Sequence, residues 1–423
     1  MSFRRGALLF LLFAATFLLV NSAAYRGWFQ DDEIDNLSWT PFLSATDYVK
    51  GVLTPLYQPN NFRPAGHFYF YAVEAASGLN FPVYVGVLQA FHLLNVWLLW
   101  WIVRRLGATP LAAAFACVFF GLHMALFDDF WKPMYVFDVL CATFSLTALA
   151  CWVRGRWVLS FLAFWMAYKS KELAVMLPVL LALYEVWFGK RRWKLLAPFF
   201  LASLSFGLQS MLLNPNKDND YTFRFSLPAL AHTVPFYASR LFLVPWLGLA
   251  VPLFALFARN RRTWFGLAAL ALFFFPMLFL PGRIFSAYCY LPLTGLAIAL
   301  TGVAEATSTA AVAALVVLML PLDYRELRRD SRETLARDVG IHRWMDAVED
   351  FATAHPGGRA FVCSGAPAHF QSWGVEGALK YFYQGRPLTV RSINDPDAGA
   401  LRSTQRAAVL SWDPVRARLD ITY

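Results

Sequence analysis

Four acids stand within five positions, Asp31, Asp32, Glu33 and Asp35, directly after the first long apolar stretch of the chain. Further charges punctuate the apolar runs: Arg63, Asp128 and Asp129 in FDDFWKP, Lys169, Lys171 and Glu172 in AYKSKELAVMLP, then Arg240 and Arg283. Asp138 lies inside a run. Ionisable groups at a membrane surface or within it are costly, so their default reading is functional. A carboxylate that draws a proton from an attacking hydroxyl, beside guanidinium and ammonium groups that hold a phosphate leaving group, performs sugar transfer from a lipid phosphate. The same carboxylates could equally hold a divalent cation, Mg²⁺ or Mn²⁺, or a substrate cation. They could also form a solvated loop.

The elements that must position these groups are membrane helices. Of 423 residues 58% are apolar and only 15% charged, which points to an α-helical polytopic membrane protein and away from a soluble one. The net charge of +10 is spread along the chain and not gathered on one soluble face, so nucleic acid is not expected as a partner. Cys117, Cys141, Cys151, Cys289 and Cys363 form no CxxC pair or zinc spacing and read as small core residues. Apolar runs predict about 11 spans, near 7–24, 82–103, 110–127, 134–153, 157–168, 172–188, 195–213, 235–258, 263–281, 284–303 and 307–322. The fifth is short, Pro245 and Pro252 interrupt the eighth, and Pro178, Pro245 and Pro252 are expected to kink helices.

Charge alternation orients the spans. With a cytoplasmic amino terminus, the inner loops hold Arg4 and Arg5; Arg104 and Arg105; Arg154 and Arg156; Lys190, Arg191, Arg192 and Lys194; and Arg259, Arg261 and Arg262. Short basic inner loops are what the positive-inside rule expects. The acid cluster, the Asp128 turn, the Lys169–Glu172 turn, the 214–234 loop, the Arg283 turn and the tail then face the extracytoplasmic side of a cytoplasmic (inner) membrane. The opening MSFRRGALLFLLFAATFLLVNSAA also has the make-up of a signal peptide, and the acids emerge outside in either case.

Two domains are expected. Residues 1–323 form the membrane domain, with a large first external loop, 26–81, holding amphipathic patterns at about 44–56 and 66–78. Residues 324–423 lose the long apolar runs and read as a small extracytoplasmic α/β domain: a helix over about 324–354, a strand in RAFVCSG, a helix in WGVEGALKYFYQG, a strand in PLTVRSI, and one or two final strands in AAVLSW and ARLDITY.

The segments FQDDEIDN, NFRPAGHFYFYAV, FPVYVGVLQAFHLLNVWLLW, FGLHMALFDD, KSKELAVMLPVLLALYE and GRIFSAYCYLPLTGLAIAL, in that order over residues 7–303, resemble the membrane glycosyltransferases of the C-type fold. Within them the chain is most similar to the protein O-mannosyltransferase and transmembrane tetratricopeptide-repeat O-mannosyltransferase branch and its bacterial relatives. The resemblance implies a polyprenyl-phosphate sugar donor, inversion at the anomeric carbon, and a base in the first external loop, here Asp31 or Asp32. Position by position it further matches Glu33, the Arg-Pro motif at Arg63 and Pro64, and the His-x-x-Asn motif at His92 and Asn95. The second-loop acid falls on Asp128, after Leu122 and His123. Ser-Lys-Glu falls on Ser170, Lys171 and Glu172, and the late Arg on Arg283. Met124, Val136 and Leu99 replace a Pro, an Arg and a His usual in the family, and tetratricopeptide repeats are absent.

On this reading Arg63, Lys171 and Arg283 hold the donor phosphate, while Glu33, Asp128, Asp129 and His123 serve the acceptor side. For His92 and Asn95, inside a span, bonding between helices is the competing reading; for Lys171 with Glu172, an ion pair that pins the turn; for Lys169, snorkelling to the interface. Alternatives to the transferase are a lipid-linked glycan polymerase or ligase, a glycan transporter, and a silent scaffold whose tail binds partners. A transporter would need charge through the middle of many spans, whereas here it gathers at span ends. The acceptor, whether protein, lipid or cell-wall glycan, is left open.

Overall fold

The computed structural model describes residues 3–56, 62–213, 219–404 and 407–422. Much of the 214–234 loop's first part therefore lies outside the described residues. The chain is mostly helical. A first helix, α1 (Phe3–Val20), is followed by short elements of the first loop, α2 (Asp31–Leu37), α3 (Ala45–Leu53) and α4 (Pro64–Ser77). The two amphipathic patterns expected there are α3 and α4. The helices α5 (Phe81–Arg105), α6 (Pro110–Leu122), α7 (Phe127–Trp131), α8 (Val136–Val153), α9 (Trp157–Tyr168), α10 (Leu177–Trp187) and α11 (Ala197–Leu213) come next. They lead to α12 (Leu227–Arg240), α13 (Phe254–Phe257), α14 (Arg261–Leu278), α15 (Tyr290–Ala306) and α16 (Thr309–Ala354).

Among the described residues five helical runs are long and apolar enough to cross a membrane: Phe81–Arg105, Pro110–Trp131, Pro133–Val153, Trp193–Leu213 and Ser286–Ala306. Shorter apolar helices cover Gly6–Val20, Trp157–Tyr168 and Leu247–Phe257. The run 235–258 is not one helix. It divides into the end of α12, a break around Pro245 where Leu243 and Trp246 take left-handed φ of 56° and 64°, a 3₁₀ segment Leu247–Leu253 containing Pro252, and α13. Pro178 occupies the first turn of α10, where its missing N–H costs nothing, and so starts that helix instead of kinking it.

At the centre stands α15, in which every residue from Tyr290 to Gly302 is buried. It meets α14 at backbone distance: a Cβ on Gly266 would lie 2.3 Å from the Ala299 nitrogen, and one on Gly295 2.5 Å from the Leu270 nitrogen. Small residues let apolar helices approach in this way. By contrast Leu8, Leu12 and Leu19 of α1 and Leu201, Leu204 and Leu212 of α11 are exposed, the arrangement of helices whose outer faces meet lipid.

The inner-loop cations gather at one end of this bundle. Arg105 and Arg154 both lie over the Trp101 ring, Arg192 bonds Glu185 and the Trp152 carbonyl, Arg261 donates to the Trp187 carbonyl, and Arg262 pairs with Glu305. The acid cluster and the turns at Arg63, Asp128, Lys171 and Arg283 share the opposite end with the tail.

The tail carries a four-stranded sheet of order β2-β1-β3-β4: β1 (Ala360–Ser364) pairs parallel with β2 (Thr389–Ser392) and β3 (Ala408–Asp413), and β3 pairs antiparallel with β4 (Arg418–Thr422). The helices α17 (Ser372–Phe382) and α18 (Ala398–Thr404) complete it. The expected boundary at 323/324 falls within α16, which continues without a break through Pro321. Asp323 accepts from the Met124 N–H and Asp338 from the Trp28 N–H, so this helix is tied to the membrane part along its length.

Candidate active site

The acid cluster forms the first turn of α2, where carboxylates meet the positive end of the helix dipole. Glu33 is structural in its contacts. It is only 1% exposed, its Oε2 accepts from the Gln30 N–H at 3.0 Å, closing the N-cap, and its Oε1 accepts from the Met134 N–H at 3.2 Å, joining α2 to the turn before α8. Burial pushes its carboxyl up to about 7. Asp31 and Asp32 are half-buried and Asp35 is exposed. Asp31 Oδ1 accepts from the Gln371 main-chain N–H at 2.6 Å, and Asp32 Oδ1 accepts from the Trp373 indole Nε1 at 3.0 Å. Desolvation raises the Asp31 carboxyl above its ordinary range.

Three cations gather around one aromatic residue, Tyr288. Arg63, just before Pro64 at the start of α4, pairs through Nε with Glu172 at 2.9 Å. Lys171 pairs with Asp138 at 2.5 Å and lies 4.3 Å from the centre of the Tyr288 ring. Arg283 stacks on Tyr221 and Phe285 at 4.5 and 4.7 Å and is within electrostatic reach of Tyr288 and Asp32. Tyr288 is the common neighbour, facing Arg63 electrostatically as well. Nothing in its sequence context, SAYCY, marks it out. The expected Lys171–Glu172 pair is replaced by two crossed pairs, because the extended backbone of Lys171 (φ −160°, ψ 145°) points successive side chains apart. Lys169 does not snorkel: it is buried, and its Nζ donates to the Thr54 carbonyl at 2.6 Å.

The second-loop residues separate. Asp128 faces a cleft and pairs with Lys132 at 2.7 Å. Asp129 is fully buried, and neither carboxylate oxygen has a hydrogen-bond partner among the described residues. His123 is buried with both ring nitrogens engaged by main chain, Leu241 O and Ala125 N. His92 bonds Tyr290 and the Gly121 carbonyl, and Asn95 bonds Tyr290 and the Val139 carbonyl; both tie helices together. Among the described residues no three His, Cys, Asp or Glu side chains converge as a metal site would need.

Two cavities flank the cluster. One, of about 660 Å³, lies between the second-loop turn and the tail, lined by Asp128, Lys132, Arg240, Ser286, Arg337 and His369 among others. The other, of about 550 Å³, is almost wholly apolar and begins at Pro64, next to Arg63, running between α3, α4 and α8 past Val52, Phe68, Leu140 and Phe144.

Among solved structures the chain is similar to ArnT from Cupriavidus metallidurans in the apo state, with a TM-score of 0.58 over 97% of this chain and 94% of that one. The fold is ArnT-like. ArnT bound to undecaprenyl phosphate superposes with a TM-score of 0.54 and the same coverage. At 14% identity in both cases the likeness carries the fold alone, and that fold agrees with the C-type architecture expected from the sequence. No protein-family model matches the chain, and no curated protein matches it by sequence.

Proposed function

We propose that this chain is an inverting glycosyltransferase that moves a hexose from a polyprenyl-phosphate donor to an acceptor hydroxyl on the extracytoplasmic side of the inner membrane. The observation that carries the reading is the convergence of Arg63, Lys171 and Arg283 on Tyr288, with Arg283 in electrostatic reach of Asp32. A phosphate held by the cations places the anomeric carbon between a leaving group and a base. The apolar cavity that starts beside Arg63 suits a prenyl tail. The ArnT structure that holds undecaprenyl phosphate supports a donor of this kind.

The acceptor enters by the cleft between the second-loop turn and the tail. Its hydroxyl gives its proton to the carboxylate of the acid pair as its oxygen attacks the anomeric carbon opposite the phosphate. The C–O bond to the phosphate breaks in the same step, and the configuration inverts. Guanidinium and ammonium groups stabilise charge growing on the departing phosphate, which leaves without a proton, so no general acid is required. Fixed cations that strengthen their hold as that charge develops lower the barrier more than they tighten substrate binding.

The test is reconstitution of the purified protein in liposomes with a panel of polyprenyl-phosphate sugars, mannose and amino sugars included. One donor should be consumed, with the polyprenyl phosphate released. Consumption of none would overturn the proposal.

A further inference from the structure

The tail reaches the acid pair. The helix α17 lies on α2 through two glycines: a Cβ on Gly374 would stand 3.0 Å from the Asp31 Cα, and one on Gly377 3.1 Å from the Asp35 Cα. With no side chain between them, the start of α17 is held directly against the acids, and its two contacts there differ in kind. Asp31 receives a main-chain N–H, from Gln371, which any residue except proline would supply. Asp32 receives a side-chain N–H, from Trp373. Trp373 is 47% exposed, large and apolar, so burial does not explain its place. An indole nitrogen is a donor only. Placed on Oδ1, it fixes the carboxylate plane and leaves Oδ2 free to take a proton.

We propose that Trp373 is a positioning residue for the base, that Asp32 is that base, and that Asp31 is the point at which the tail docks. The inference rests on the glycosyltransferase reading above and deepens it. The site is shared between the membrane helices and the tail, and the two neighbouring acids have separate tasks. A tail shifted away from α2 leaves Asp32 free to rotate, so transfer proceeds only while α17 is seated.

The experiment compares Trp373→Phe, Trp373→Ala and Ser372→Ala in the reconstituted full chain with the donor found active in the panel. Ser372 is the exposed neighbour and serves as control. Trp373→Phe keeps the ring and removes the donor. It should lower kcat about tenfold with donor KM unchanged, as expected for a hydrogen bond to a charged group that matters in the transition state. Trp373→Ala should match or exceed this effect, and Ser372→Ala should follow the wild type. A merely structural Trp373 would lower the melting temperature or the yield of folded protein with the kcat of the folded fraction unchanged, and that result overturns the inference. Wild-type kcat together with wild-type stability in both Trp373 variants overturns it too, while leaving the transferase reading intact. A wild-type chain that consumes no donor overturns both.

Discussion

At the scale of single residues the division between charge that is balanced and charge that is free decides what each substitution will do. Arg63 and Lys171 already face carboxylates, Glu172 and Asp138, whereas Arg283 makes no ion pair among the described residues. Removing Lys171 strands a buried Asp138, a change that typically costs about 3–5 kcal/mol. Lys171→Met should therefore lower the melting temperature of the detergent-solubilised protein, and Arg283→Ala should leave it nearly unchanged while weakening donor affinity. The reverse pattern would place the phosphate on Lys171. Asp32→Asn keeps size and removes basicity, so turnover should fall at least about a hundredfold, the lower range of general-base assistance, with donor binding near normal. Asp31→Asn keeps an acceptor oxygen for the Gln371 N–H and should fall by less than about tenfold. Wild-type turnover in both variants would overturn the central step. The motif residues themselves were legible in the sequence because ionisable side chains stand out against apolar runs. Tyr288 was not, since an aromatic residue between two spans is common and only the folded chain brings three cations to it.

At the scale of elements the tail's strands and α17 followed from alternation and amphipathic spacing, and the five long spans from apolar length. What local pattern could not supply was contact between distant segments. The Gln30 side chain bonds Asp338 at 2.8 Å and Asp31 bonds Gln371, each across more than 300 residues. The unbroken α16 was hidden for a related reason: its apolar stretch ends near 322, and composition changes there while the backbone does not. Within α2 the element depends on Glu33, which caps the helix and anchors it to the Met134 turn. Glu33→Ala loses both bonds and leaves the buried Gln30 N–H and the part-buried Met134 N–H without their acceptor, for a loss of about 1–3 kcal/mol each at most. Its pH dependence has a definite sign. The folded carboxyl binds a proton up to about 7 against an ordinary 4.5, so in that window the folded chain holds the proton that the unfolded chain has released. Stability from this group is then greatest below the window, falls as pH rises through it, and is level above. Melting temperatures across the window should show that fall in the wild type and a shallower one in Glu33→Gln, which has no charge to bury, while Asp338, pushed up to about 6 by burial, keeps its own share; an unchanged slope would assign the whole effect to other groups.

At the scale of the whole molecule two features agree that need not have. The basic loops, separated by up to about 160 residues of sequence, are spatial neighbours at one end of the bundle, held by Trp101, Trp152, Glu185 and Glu305. The acids, the phosphate-binding candidates and the tail occupy the other. Alternation in sequence thus corresponds to separation in space, as it must if each apolar run crosses once, even though the 235–258 segment is built of broken pieces. Cations resist translocation, so the positive-inside rule predicts the basic end in the cytoplasm and the site on the opposite face. The expected labelling pattern follows from exposed positions at the two ends. Thr46→Cys in the first loop and Gly399→Cys in α18, where a Cβ meets nothing within 4 Å, should react with an impermeant thiol reagent in intact cells once the outer envelope is made permeable. Lys190→Cys should react only after the inner membrane is opened. The native cysteines are buried or half-buried and give a low background. A position near 216, in the same expected outer set, lies outside the described residues. Protection of Thr46→Cys and Gly399→Cys together with labelling of Lys190→Cys would invert the orientation. The acid pair would then face cytoplasm, and the donor sugar would have to be presented on that side.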